Sequence, residues 1–110
     1  MNEAVYTIDE IKRRITPVAR QYRLAAVYLF GSYARGEATA RSDVDLLVDL
    51  SGSTVRGMDL GVLYSDFEDA LEKGLDLVTV ASLEYPTERL GQLHFREAVN
   101  RERVMLYAAA

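Results

Sequence analysis

The stretch Gly31–Leu50, GSYARGEATARSDVDLLVDL, decides how this chain folds and what chemistry it can carry. It opens on a Gly-Ser turn and, after a ten-residue spacer, presents two aspartates one residue apart, Asp43 and Asp45. Each part lies beside an apolar run. Ala25–Phe30, AAVYLF, is short, apolar and closed by Gly31, the pattern of a buried strand. From Asp43 to Leu50 the residues alternate, which places Val44, Leu46, Val48 and Leu50 on the core face. Asp43, Asp45, Leu47 and Asp49 are expected on the opposite face.

On a strand rising roughly 3.3 Å per residue, Asp43 and Asp45 project from one face about 6.6 Å apart. Paired catalytic metals sit roughly 3.5–4 Å apart, so carboxylate oxygens from both side chains can converge on them. Magnesium prefers hard oxygen ligands and keeps substrate phosphate oxygens in its shell, so a few carboxylates suffice. An isolated Asp-X-Asp is most often a solvated strand end; the Gly-Ser turn upstream reverses that reading. Glycine lets the backbone approach a ligand closely, and Ser32 would open a short helix, SYARGE, whose first N–H groups and hydroxyl attract phosphate oxygens. The combination points to a nucleoside triphosphate and its magnesium.

A third carboxylate would help activate the attacking group, and Asp49 and Asp76 are the candidates. Asp49 lies about 13 Å along the strand from Asp45, too far to share its metal. Asp76 begins the next apolar run, and neighbouring strands lie roughly 5 Å apart, so Asp76 is preferred. Arg35 and Ser42 are candidate nucleotide contacts, and Arg41 also flanks the motif. Tyr33 either stacks on a ligand or packs internally. His94, the single histidine, is expected to be structural or at the surface. Arg89, Arg96, Arg101 and Arg103 read as a solvated face, or one that meets an acidic partner.

Outward from the motif, Thr7 and Glu10 form a capping box ahead of Ile8, Ile11, Ile15, Val18 and Tyr22 at helical spacing. Pro17 predicts either a kink or a break in that helix. Ser51–Gly57 reads as a loop. Asp59–Lys73 reads as an amphipathic helix with Leu60, Leu63, Tyr64, Phe67 and Leu71 inward, ended by Gly74. Leu75–Val80 reads as a third strand and Glu88–Asn100 as a helix with Leu90, Leu93 and Val99 inward. Ala108–Ala110 is expected to fray. This order describes an α/β or α+β domain with helices packed on one small sheet.

The 110 residues fit one domain, 1–110, and 49% hydrophobic with 27% charged residues is ordinary for a soluble globular protein. A net charge of -4 argues against a general nucleic-acid binder, although Arg13, Arg14, Arg35 and Arg41 leave room for a local basic patch. The absence of cysteine excludes disulfides and thiolate metal sites. The amino-terminal MNEAVYTIDEIKRR lacks the apolar core of a signal peptide, and no segment approaches membrane-spanning length. The expectation is a cytoplasmic protein with no membrane partner.

The segment Gly31–Leu50 together with Asp76 resembles the nucleotidyltransferase superfamily that includes DNA polymerase β and kanamycin nucleotidyltransferase. It is most similar to the minimal nucleotidyltransferases, small proteins with the same ten-residue spacer, and the likeness runs from the first helix to about Tyr107. The resemblance implies a polymerase β-like fold with a small mixed sheet flanked by helices. It implies that Gly31 and Ser32 bind the triphosphate, that Asp43 and Asp45 hold two Mg2+ ions, and that Asp76 completes the set and polarises an acceptor hydroxyl. In-line attack on the α-phosphorus would release pyrophosphate.

Larger members use a second domain to hold the acceptor, so this chain is expected to need a second copy or a partner. Similar minimal nucleotidyltransferases are typically encoded beside a HEPN-type RNase toxin. The resemblance therefore implies a type VII-like antitoxin that transfers AMP from ATP to a tyrosine of that toxin. Two alternatives stand beside it: an antitoxin that acts by binding alone, and a small-molecule nucleotidyltransferase of the antibiotic-modifying kind acting as a dimer.

Overall fold

The apolar runs on either side of Gly31 become the two central strands of the protein. The computed structural model describes residues 4–110, so the first three residues of the stretch read for a signal peptide lie outside the described residues. In chain order the elements are α1 (Ile8–Gln21), β1 (Ala26–Phe30), α2 (Gly31–Arg35), β2 (Val44–Asp49), α3 (Asp59–Leu71), β3 (Leu75–Thr79), α4 (Val80–Leu83), α5 (Leu90–Glu102) and β4 (Val104–Ala108). The strands form one sheet in the order β3-β2-β1-β4. β1 is antiparallel to β2 and to β4, whereas β3 runs parallel to β2. This is a mixed sheet flanked by helices, the architecture that the resemblance implied.

The main core joins α1 and α3 to one face of the sheet through Ile11, Ile15, Leu29, Leu46, Leu63 and Phe67. A smaller cluster on the other face gathers Phe30, Leu47, Leu83 and Val99. The alternation in β2 is therefore not core against solvent. Leu47, expected on the non-core face, is fully buried because α4 and α5 cover that side. Asp45 and Asp49, one place to either side on the same face, stay half-buried.

α1 starts as expected: the Thr7 hydroxyl accepts from the Glu10 N–H at 3.1 Å while the Thr7 N–H donates to Glu10 Oε1 at 2.9 Å. The helix continues through Pro17 and is not broken there. α3 ends at Leu71, and the left-handed residue that follows is Glu72, with φ 55°, not the expected Gly74. The Glu72 N–H closes the last turn on the Glu68 carbonyl at 2.8 Å. Lys73 is then buried, 5.5 Å from the centre of the Tyr6 ring. The Tyr6 hydroxyl donates to the Leu71 carbonyl at 2.6 Å, fastening the segment before α1 to the end of α3.

The carboxy-terminal third departs furthest from expectation. α5 spans Leu90–Glu102, and Leu90 is exposed rather than inward, because contact with α2 and the sheet falls on the second half of the helix. Arg96 is not part of a solvated face. Its guanidinium donates to the carbonyls of Leu83 and Tyr85, each at 2.7 Å, and pins the segment after α4. Arg103 stacks on Tyr28 at 4.5 Å. Ala108 does not fray but pairs with Ala26 in β4, and the Ala109 N–H donates to the Ala25 carbonyl at 2.9 Å. Among the described residues no helix is long and apolar enough to cross a membrane.

Phe67 is the largest fully buried side chain. Phe67→Ala should lower the unfolding free energy by about 3–5 kcal/mol, read as a drop in the urea midpoint. A loss below about 1 kcal/mol would contradict the packing described.

Candidate active site

The parallel pairing of β2 and β3 sets Asp45 directly beside Asp76. In a parallel ladder, residues at the same register position point to the same face, so the two carboxylates share one side of the sheet. They line a cavity of about 530 Å³ together with Gly31, Ser32, Arg35 and Glu102. Phe30, Phe95 and Val99 give that cavity an apolar wall, in which the two phenyl rings meet edge to face at 5.9 Å.

The turn from β1 into α2 lies tightly against the acid. Gly31 has φ +75°, and a Cβ placed on it would sit 1.9 Å from Asp45 Oδ2. Only glycine accommodates both the left-handed backbone and that approach. Ser32 is half-buried, and its hydroxyl has no hydrogen-bond partner among the described residues. Its carbonyl accepts from the Glu37 N–H at 2.9 Å, which tightens the end of α2. Tyr33 packs inside the main core, and burial pushes its hydroxyl pKa up.

Asp43 lies outside the cavity lining, exposed and next to Gly74, where a Cβ would come within 2.6 Å of its Oδ1. It still acts on Asp45 through its charge. Burial, then the charge of Asp76 and a hydrogen bond with it, then the charge of Asp43 push Asp45 from 3.8 to about 6. Arg35 opposes the shift. The Oγ of Ser42, named above as a candidate nucleotide contact, accepts from the Thr39 N–H at 2.8 Å and caps the loop before Asp43. Asp49 accepts from the Ser51 N–H at 2.9 Å, far along β2 from Asp45. His94 is exposed on α5.

These donors suit a hard divalent cation. Burial and the neighbouring negative charges make Asp45 costly to ionise, and a cation at its carboxylate offsets that cost. Among the described residues no three acids or histidines are gathered into a ready-made cage. Magnesium does not need one, since it takes one or two carboxylates and completes its shell with waters and substrate phosphates.

Comparison with known proteins gives the family and the fold. The model of the nucleotidyltransferase domain family matches residues 11–104. The chain belongs to this family. A Methanocaldococcus jannaschii protein with the provisional name protein adenylyltransferase MJ0435 is 38% identical over 76 residues, covering 69% of this chain and 81% of that protein. Protein adenylyltransferase MntA of Thermococcus cleftensis is 42% identical over 50 residues, 42% of this chain and 50% of that protein. A chain of a toxin–antitoxin complex crystallised with AMP-PNP shares the fold, with a TM-score of 0.66 at 22% identity over 89% of this chain and 73% of its own. So does a chain of the Shewanella oneidensis complex between a tri-AMPylated HEPN toxin and an MNT antitoxin. Its TM-score is 0.61 at 19% identity, over 93% of this chain and 73% of its own.

Glu102 is the site residue that sequence reasoning missed. It accepts from the Gly31 N–H at 2.9 Å and from Arg35 at 3.2 Å. No short motif marks it, because it stands 71 positions from Gly31 and reaches the candidate site only through the packing of α5.

Two outcomes follow from the geometry. Gly31→Ala should cost at least about 1–2 kcal/mol in urea unfolding from the left-handed backbone alone, and more from the clash with Asp45. The raised pKa of Asp45 means that the folded chain binds more protons than the unfolded one between 3.8 and about 6. Its contribution to stability therefore declines as pH rises through that window. Asp45→Asn should flatten the decline and raise the metal-free melting temperature by several degrees at pH 7.5, seen by calorimetry across pH 4–8. An unchanged pH profile would contradict the assigned burial.

Proposed function

We propose that this chain is a single nucleotidyltransferase domain that works as a protein adenylyltransferase antitoxin, moving AMP from ATP to a tyrosine of a HEPN-type RNase toxin. The observation that carries the reading is Asp45 beside Asp76 under a glycine turn, in a cavity lined by the free hydroxyl of Ser32. The names of MJ0435 and MntA favour AMP transfer to protein, and the toxin complexes of like fold favour a HEPN-type acceptor.

In this reading Gly31 leaves room for the triphosphate to approach the backbone, and the Ser32 hydroxyl donates to a phosphate oxygen. Arg35 adds positive charge at the same cavity, and Ser42 steadies the loop that leads into Asp43. Asp43, Asp45 and Asp76 would hold two Mg2+ ions. Magnesium, when bound, supplies neutralisation of charge on the attacking and departing oxygens. Asp76, the more exposed of the adjacent acids, faces the incoming acceptor and polarises its hydroxyl. The acceptor hydroxyl passes its proton to the Asp76 carboxylate as its oxygen bonds to the α-phosphorus, the bond from that phosphorus to the oxygen shared with the β-phosphate breaks, and pyrophosphate leaves with the electron pair. Most of the rate would come from positioning and electrostatics. A cysteine-free chain fits action in the cytoplasm.

The test uses the chain co-expressed with a HEPN-type toxin. Label from α-phosphate-labelled ATP should appear on a toxin tyrosine, require Mg2+, and fall by roughly two orders of magnitude or more in Asp43→Asn. Label persisting in that variant would overturn the mechanism, and full neutralisation without any label would identify binding alone as the antidote.

A further inference from the structure

Glu102 closes α5 directly over the candidate site. Its side chain is 17% exposed, and one oxygen, Oε1, serves both the Gly31 N–H at 2.9 Å and Arg35 Nη1 at 3.2 Å. Arg35 is held a second time, its Nε donating to Glu37 Oε1 at 2.8 Å. Those two carboxylates occupy Nε and Nη1 and leave Nη2 without a partner among the described residues. Arg35 lines the cavity, where it is the one guanidinium among three carboxylates, those of Asp45, Asp76 and Glu102.

That imbalance makes the orientation of Arg35 matter. A guanidinium is planar and carries fixed donors, so anchoring two of its nitrogens determines where the third points. Without an anchor, the strongest attraction in the cavity would draw Arg35 onto Asp45 and Asp76, the acids that the proposed function reserves for magnesium. The charge of Arg35 is already felt at Asp45. Glu102 offers an alternative partner on the other side of the Gly31 turn.

We propose that Glu102 is a positioning residue of the transfer reaction: its carboxylate holds the Gly31 turn and keeps Arg35 off the metal-binding aspartates, so that the free end of the guanidinium meets the triphosphate. The inference rests on the proposed function. The pair itself is largely exposed on the Arg35 side, so it adds little to stability. Its effect should appear in ligand binding.

The experiment is a double-mutant cycle on the full chain, using Mg2+ with the non-hydrolysable analogue AMP-PNP and isothermal titration, with melting temperature recorded in parallel. Glu102→Gln retains an acceptor for the Gly31 N–H and removes the charge that anchors Arg35. It should weaken Mg·AMP-PNP binding by about tenfold and leave the melting temperature nearly unchanged. Arg35→Ala should weaken binding by a similar factor, and the double variant should be no weaker than Arg35→Ala alone, because both act through one guanidinium. Additive losses would overturn the proposal. Tighter binding by Glu102→Gln would also overturn it, since Glu102 would then be a competitor for the phosphate. A parent chain that binds no Mg·AMP-PNP would remove the functional reading and this inference together, whereas normal binding by the parent and by both variants would remove the inference alone.

Discussion

The backbone of the β1–α2 turn lies so close to Asp45 that no side chain fits between them. This contact fixes the distance between the turn that can take a phosphate and the carboxylate that can take a cation. The same device recurs at the next acid, where Gly74 leaves space for the Asp43 carboxylate. Two glycines therefore stand against two acids, Gly31 just after β1 and Gly74 just before β3. A side chain at either position would push an acid aside, and at Gly31 it would also strain the left-handed backbone.

The electrostatics follow from the register. Pairing β2 parallel to β3 sets Asp45 beside Asp76, and the cover supplied by α5 and α2 half-buries Asp45 as well. In the resting protein Asp45 resists ionisation, and one arginine only partly relieves it. A carboxylate perturbed in this way inside a cavity is characteristic of functional sites. Stability is lower for it, and the two-sided core around the central strands carries the difference.

Much of the architecture was legible in the chain because local periodicity and local chemistry agreed. The Thr7–Glu10 box, the apolar stripe of α1 and the runs at Ala25–Phe30 and Leu75–Val80 each signal their own element. Other features had no local signal. Val80–Leu83 is a helix of a single turn that runs straight on from β3, and Val104–Ala108 is a five-residue apolar run after the charged end of α5, too short for pattern alone to tell strand from helix. Leu47 read as solvent-facing because alternation reports two faces without saying that both are covered. Glu72 takes the left-handed position because α3 ends at Leu71, short of the glycine, Gly74, that the pattern marked as its end.

By itself the sequence determined that a glycine turn, a serine and two same-face acids would lie at adjoining strand ends, because strand period and turn chemistry act over a few residues. It also determined the family, whose signature is that local pattern. Only the tertiary structure decided that Asp76, preferred over Asp49 on strand distances alone, lands at the register position of Asp45, that Asp43 stands just outside the cavity, and that Glu102 arrives from the far end of the chain. Each of these depends on strand order and on where α5 comes to rest. Such contacts are set by the packing of whole elements against each other, a balance of burial and shape that no short window of residues contains.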